Sequence, residues 1–131
     1  MKLSELETPL LKLGPSFKPS SGAAHTSDCI RLEVDDVDFT VVADNQNSDR
    51  VTVCCLFGPI PADKKAWVLR GIVMQNLALL RKRSHAGFGV VDGDLIYAFS
   101  TDVNSQPEVV QALGRVMRSA ASAALGWQQS L

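Results

Sequence analysis

The sequence predicts an α+β fold in which helices pack on a twisted antiparallel sheet. Apolar and polar residues alternate in short runs between residues 30 and 57, as in half-buried strands. The pair Asp92–Gly93 separates two further apolar runs and predicts a hairpin. Helical spacing of apolar residues follows residue 63 and again residue 105. We expect residues 1–131 to form one domain with the element order α-β-β-β-α-β-β-α.

The first predicted element is an amphipathic helix, since leucines recur at helical spacing between residues 3 and 13. Ser4 and Glu7 form a capping box, but Thr8 followed by Pro9 is an equally good start. Pro9 disturbs a helix begun at Ser4, because it has no N–H and clashes with the preceding turn. Continuity across Pro9 is therefore open. Residues 14–28 are rich in Gly, Pro and Ser and predict a loop.

Three strands joined by short turns are predicted next, and a hairpin follows the middle helix. The turns fall at Asp35–Asp38 and Asn45–Asp49, where Asp, Asn and Ser favour turn conformations. The predicted strands are residues 30–35, Phe39–Ala43, Val51–Phe57, Phe88–Val91 and Leu95–Phe99.

The last predicted element is a helix that reaches about Gly126. Ser105 and Glu108 have the spacing of a capping box, and Pro107 lies in the first turn. Apolar residues then repeat every three or four positions, which predicts one buried side.

The helix predicted over residues 63–83 is unusually apolar. Between residues 66 and 81, Arg70, Gln75 and Asn76 point in widely separated directions and apolar residues occupy most of the remaining circumference. A surface helix has one apolar stripe and a broad polar side, so this helix needs cover on more than one side.

One sheet covers only one side of this helix, and two sources of the other cover remain open. The last helix covers it within the monomer, or a second copy covers it across a two-fold axis. Gly71 permits a close crossing of two copies, or else marks close helix–sheet packing.

Composition argues against several classes of function. The net charge is −1, so no basic field attracts nucleic acid or an acidic membrane. No apolar run approaches the ~20 residues of a membrane span, and Glu5 and Glu7 are atypical of a secretory signal. Three cysteines, two of them adjacent, make a poor disulfide or metal framework, which favours a reducing cytoplasm.

The sequence offers few groups for catalysis. His25 lies four residues before Cys29, but no companion residue supports a nucleophilic pair. His85 and Arg81–Arg83 suit a helix C-terminus, where cations are stabilising. Phosphate-loop, metalloprotease and serine-hydrolase motifs are absent. We expect no enzymatic activity, no cofactor and no metal.

The element order and several residues together resemble the class I type III secretion chaperones, the family of the Tir chaperone. The best match is Ile60–Leu77 (IPADKKAWVLRGIVMQNL), where Leu69 is followed by Asn76–Leu77. Gly87–Val103 is similar to the hairpin of that family, and Leu32–Asp44 to its first hairpin.

The resemblance implies a homodimer of the bacterial cytoplasm without catalysis or cofactor. It implies binding to the N-terminal region of a cognate effector, which stays soluble and secretion-competent and is delivered to the export apparatus. The export ATPase is a further implied partner, whereas nucleic acid and membrane are not.

Carried over to this chain, the resemblance implies two sets of residues, each with ordinary core packing as the alternative. The implied effector-binding residues are Leu3, Leu6, Leu10, Leu13, Ile30, Leu32, Val34 and Val41. The implied dimer interface comprises Trp67, Gly71, Val73, Met74, Leu77, Phe88 and Val90.

Two other hypotheses compete with the chaperone. A small α+β ligand-binding or sensor domain predicts a concave pocket with polar groups. A hydrolase or transferase that uses His25 and Cys29 predicts loss of turnover when His25 is replaced.

Overall fold

The protein is organised around a six-stranded antiparallel sheet with the spatial order β1-β2-β3-β4-β6-β5. The structure is a computed structural model that describes residues 3–20, 29–44 and 47–131. Over these residues, three helices flank the sheet, and a 3-10 turn at Ala62–Lys64 leads into the second. The elements are α1 (Leu3–Leu11), β1 (Phe17–Pro19), β2 (Cys29–Val34), β3 (Val37–Asp44), β4 (Asn47–Pro59), α2 (Lys65–Arg81), β5 (Ala86–Val91), β6 (Asp94–Asp102) and α3 (Pro107–Ser130).

The core lies on one face of the sheet, because alternate strand residues point to the same side. A transverse row shows the register: Ile30 pairs with Val41, which pairs with Val53, which pairs with Phe99. All four side chains are buried. α1 and α3 cover this face with a second set of buried apolar residues: Leu3, Leu6, Leu10, Val110, Leu113, Met117, Ala121 and Ala124.

Two hairpins turn through residues with positive φ. Asp35 and Asp36 have φ values of 50° and 67°, and Asp92 and Gly93 have 51° and 82°. Two consecutive left-handed residues give the type I′ turn, whose twist matches the twist of the adjoining strands. The hairpin predicted at Asp92–Gly93 is confirmed, and the first turn is shorter than predicted, since Val37 already belongs to β3.

The predicted α+β class with an antiparallel sheet is confirmed, and one strand was missed. β1 lies within the predicted loop and pairs with β2 through Phe17 opposite Val34 and Pro19 opposite Leu32. Three residues at a sheet edge leave no pattern of alternation, and proline is tolerated on an edge strand. The rest of that predicted loop, residues 21–28 with His25, lies outside the described residues.

The structure resolves one open point about the helices and corrects one prediction. α1 continues across Pro9, so the two starting points merge into one helix. The capping box at Ser105 and Glu108 was wrong: Gln106 precedes the helix and no side chain caps it. Instead, the Gln106 N–H donates to Asn104 Oδ1 over 2.9 Å, a local turn that aligns the chain for Pro107.

Candidate protein-binding surface

α2 leaves most of its apolar surface uncovered. Only Val68 is buried on this helix. Trp67, Met74 and Leu80 are 64%, 66% and 71% exposed. Isolated apolar side chains at a surface are ordinary, but a contiguous apolar helix surface indicates an interaction site. The alternative that α3 covers α2 within the monomer does not hold.

α2 is fixed against the β5 edge of the sheet by one side-chain amide. Asn76 Nδ2 donates to the Phe88 carbonyl over 2.9 Å, and the Phe88 N–H donates to Asn76 Oδ1 over 2.8 Å. Asn76 therefore supplies the two hydrogen bonds that a seventh strand would have made to the backbone of Phe88. An unpaired edge strand invites strand addition, so this contact closes the edge at its centre.

α2 has two distinct exposed sides, because successive residues turn by about 100°. On one side, Trp67, Gly71 and Met74 line a groove that faces α3. The other side carries apolar residues spaced by four, four and three positions, which do not line this groove. We call them the outer stripe: Leu69, Val73, Leu77 and Leu80, exposed by 41%, 58%, 48% and 71%.

The groove between α2 and α3 has a cavity of ≈ 600 Å³ near Trp67 and Trp127. Beside it lies a second cavity of ≈ 350 Å³ that shares Phe57, Gln75, Phe88 and Ala123 with the first. The shared lining makes the two cavities one continuous groove.

The floor of the groove is a cluster of aromatic rings. Phe57 meets Phe88 edge to face, with ring centroids 5.5 Å apart and planes at 87°. Tyr97 lies 4.9 Å from Phe88, and Trp127 lies 6.1 Å from Phe57. Such rings have restricted rotamers, so the floor is a preformed apolar surface.

A bulge in β4 helps to place Phe57 in this floor. The pairing with β6 shifts register between Leu56 and Gly58, and Gly58 has φ +121°. Glycine adopts this backbone conformation without a steric penalty. Gln128 Nε2 donates to the Phe57 carbonyl over 2.5 Å. A side chain near the end of α3 therefore supplies a hydrogen bond to the backbone of the bulge.

Positive charge surrounds α2. Residues 64–83 carry Lys64, Lys65, Arg70 and Arg81–Arg83 and no Asp or Glu, whereas residues 1–63 carry ten acidic and five basic side chains. The middle of the helix, residues 71–80, carries no charge. This part of the surface suits an acidic or apolar partner.

The structure places the sequence-predicted effector-binding residues in or against the core. Seven of the eight are at most 6% exposed, and Leu13 packs against the core while partly exposed. This favours the core alternative, because alternation identifies the buried side of a strand and not a docking side. The seven are Leu3, Leu6, Leu10, Ile30, Leu32, Val34 and Val41.

The residues predicted for the dimer interface are divided between the two exposed sides of α2 and the edge strand β5. Gly71 is exposed and Phe88 is half-buried in the groove floor. The remaining five are between 42% and 66% exposed: Trp67, Val73, Met74, Leu77 and Val90. Sequence reasoning missed Trp127 and Tyr97, which lie in the groove, and the part of Asn76 in closing the sheet edge. A polar amide within an apolar helix was the one available signal for Asn76.

The thiols of Cys54 and Cys55 are poorly suited to nucleophilic chemistry. Burial, with a smaller effect of Cys54, raises the pKa of Cys55 to about 12. Burial also raises the pKa of Cys54, with a smaller effect of Cys29. Nucleophilic cysteines need the reverse shift. Within the described ranges, no group of three His, Cys, Asp or Glu side chains could hold a metal ion.

Of the comparisons with known proteins, the one with solved structures finds a shared fold. No family model and no curated protein matches the sequence. A chain of the HopA1–SchA chaperone–effector complex has a similar structure, with a TM-score of 0.58 and 19% identity over 98% of each chain. At that identity the likeness establishes a shared fold. Over the residues that the structure describes, no helix is long and apolar enough to cross a membrane.

Proposed function

We propose that this protein is a type III secretion chaperone that acts as a homodimer in the bacterial cytoplasm. It binds the N-terminal region of a cognate effector, keeps it soluble and secretion-competent, and delivers it to the export apparatus, with the export ATPase as a further partner. The observation that carries the proposal is the uncovered apolar surface of α2, on a fold shared with a chain of a chaperone–effector complex.

The outer stripe is the proposed dimer seam. Its four side chains expose roughly 400 Å², taking ~150–250 Å² for a fully exposed large side chain. A standard interface buries ~800 Å² per partner, so the outer stripe with Val90 supplies about half of one.

Charge sets where the two copies of α2 cross. Both ends of the helix are basic, and residues 71–80 between them are uncharged. A two-fold crossing near Val73 and Leu77 buries the uncharged part and keeps the basic ends apart. This crossing places Val73 at the centre of the seam, and Met74 and Gly71 toward the groove.

Binding of an unfolded effector segment requires no catalytic group. A disordered segment that folds along a large surface obtains specificity at moderate affinity per unit area. Effector contact by the eight sequence-predicted residues stays a prediction. Because seven of them are buried, it would require α1 to move off the sheet.

Co-expression tests the proposal. The partner is the protein encoded beside this chain's gene, truncated to its first ~100 residues, a length that fits an interface of a few thousand Å². The expected result is a soluble complex that elutes as one species, with the segment insoluble when expressed alone. A monomeric chain that leaves the segment insoluble contradicts the proposal.

The groove supports a second candidate, a small-ligand binding or sensor domain. A cavity of ≈ 600 Å³ with Arg70 and Gln75 in an otherwise apolar lining lies in the range of small-molecule sites. A metabolite screen by thermal shift separates the two functions, since a specific ligand raises the melting temperature in a concentration-dependent way.

A further inference from the structure

The face of the sheet that points away from the core carries polar side chains at one end. α1 and α3 cover the core face, whereas the side chains on this second face of β6 and of residues 50–56 are partly or fully exposed. Thr52 pairs with Ser100 in the register of β4 and β6. Arg50 pairs with Asp102 in the next row. The Ser100 N–H donates to the His85 carbonyl over 2.9 Å, which fixes His85 beside the same end of the sheet.

Five polar side chains of this region line one cavity of ≈ 440 Å³. We name them the polar cluster: Arg50, Thr52, Ser84, His85 and Ser100. Among the described residues, no Asp or Glu lines this cavity. Neighbouring side chains across antiparallel strands lie about 5 Å apart, and residues i and i+2 of one strand lie about 7 Å apart. One small ligand can therefore contact the guanidinium, the imidazole and the hydroxyls together.

The polar cluster has more hydrogen-bond donors than its internal contacts use. Thr52 Oγ1 and Ser100 Oγ lie 2.9 Å apart, so one hydroxyl donates to the other and the second proton can serve another acceptor. Arg50 Nη1 donates to Asp102 Oδ1 over 3.3 Å, and a guanidinium has five N–H donors. The Asp102 side chain is 77% exposed, and exposed ion pairs contribute little, so an anion can compete for Arg50.

Charge favours this cavity over the one beside it. Ser84 and His85 also line a neighbouring cavity of ≈ 480 Å³, whose described lining includes Asp102 and Glu108 and no Lys or Arg. Those carboxylates repel an anion, whereas the polar cluster contains Arg50. The exposed cations Arg81–Arg83 directly precede Ser84 in the chain and raise the local concentration of anions.

We propose that the polar cluster binds the phosphate group of a small molecule. A phosphate group has three terminal oxygens and a charge of about −1.5 to −2, and the fork of Arg50 can bind two of these oxygens. His85 and the hydroxyl of Ser84 are then the donors for the third. A carboxylate has two oxygens in one plane and fits donors on several sides less well.

The rest of the ligand has room beside the phosphate. Gly87 and Ala98 form a cross-strand pair that also lines the cavity, and their small size leaves a flat floor. The cavity shares no lining residue with the groove between α2 and α3 or with the outer stripe. The proposal therefore does not rest on the chaperone function or on the dimer, and it stands or fails separately from both.

Isothermal titration calorimetry on the full chain tests the proposal with glycerol 3-phosphate, inorganic phosphate and glycerol at equal ionic strength. Glycerol 3-phosphate should bind with a Kd of about 1 mM or lower, and glycerol should not bind. Tighter binding of glycerol 3-phosphate identifies a phosphate monoester as the ligand, and tighter binding of inorganic phosphate identifies the free ion; both support the site. Binding of neither phosphate at about 20 mM overturns the proposal.

Matched variants locate the site. Arg50→Gln should weaken the binding of glycerol 3-phosphate at least about tenfold. Arg31→Gln makes the same change at an exposed arginine on the same face, outside the cavity lining, and should leave binding unchanged. If Arg50→Gln folds poorly, His85→Ala at an exposed position decides and should weaken binding about threefold. Binding as in the wild type in either folded variant of the cluster places the phosphate elsewhere and overturns the proposal.

Asp102→Asn separates ligand binding by Arg50 from a structural part in its ion pair. Asparagine keeps an acceptor for Arg50 and removes the competing charge, so glycerol 3-phosphate should bind about twofold more tightly. If Asp102→Asn instead loses binding as Arg50→Gln does, Arg50 acts through its ion pair and the assignment of Arg50 to the phosphate is wrong.

Discussion

Asn76 gives the most specific prediction about the fold, because one side chain joins α2 to the sheet edge. Asn76→Ala removes both hydrogen bonds to Phe88, of 2.8 and 2.9 Å. A net hydrogen bond contributes about 0.5–1.5 kcal/mol, and the site is partly buried, so we expect a loss of about 1–2 kcal/mol in the free energy of unfolding. For a chain of this length the melting temperature should fall by about 4–8 °C.

Urea denaturation at fixed protein concentration measures the loss, and hydrogen exchange at the Phe88 amide locates it. Gln75→Ala is the matched control, because Gln75 is the exposed neighbour on the same helix. Asn76→Asp keeps an acceptor for the Phe88 N–H but opposes its carbonyl, so it should not restore stability. If Asn76→Ala and Gln75→Ala agree within ~0.3 kcal/mol, Asn76 does not fix α2 to the edge.

Two further predictions concern α3 and the core. Gly126→Ala, with nothing within 4 Å of the added Cβ, should stabilise the protein by up to ~1 kcal/mol through helix propensity. Gly114→Ala should be the less stable of the two variants, because its added Cβ would overlap the end of the Leu13 side chain, which must move. The urea midpoints of the two variants check this order, and equal midpoints would contradict it. The folded pKa of Cys55 is about 12 against an ordinary value of 9.0, so its contribution to stability is complete below pH 9 and is lost as pH rises toward 12. Unfolding measured from pH 8 to 11 should show a weaker decline in Cys55→Val, and equal declines would contradict the assignment.

The fold was largely predictable because its strands have one buried side. Alternation at Ile30, Leu32 and Val34 fixed both the strand and its inward face. β1 was not predictable, since Phe17–Pro19 contains a proline and depends on pairing with residues 32–34. The predicted capping box failed because the helix begins at Pro107, so Gln106 and not Ser105 precedes its first residue, and the spacing of Ser105 and Glu108 alone does not fix that start.

The candidate site was predictable only in part. The distribution of residues around α2 showed that this helix has no broad polar side. In the structure, its apolar residues Trp67, Met74 and Leu80 are exposed. The groove was not predictable, because Trp127 and Phe57 meet across 70 residues of sequence. Apolar residues such as Leu6 and Leu10 have the same pattern whether they face a core or a partner, so burial had to come from the structure.

Light scattering on the wild type and on the double variant Val73→Glu, Leu77→Glu tests the central claim most directly. The account predicts a wild-type mass of twice the 14.1 kDa chain and a double variant at the single-chain mass with unchanged circular dichroism. The double variant Arg81→Glu, Arg83→Glu introduces the same carboxylates beyond the uncharged part of α2 and should stay dimeric. A monomeric wild type, or a dimer that survives two carboxylates in the outer stripe, would contradict the assignment of α2 as the seam.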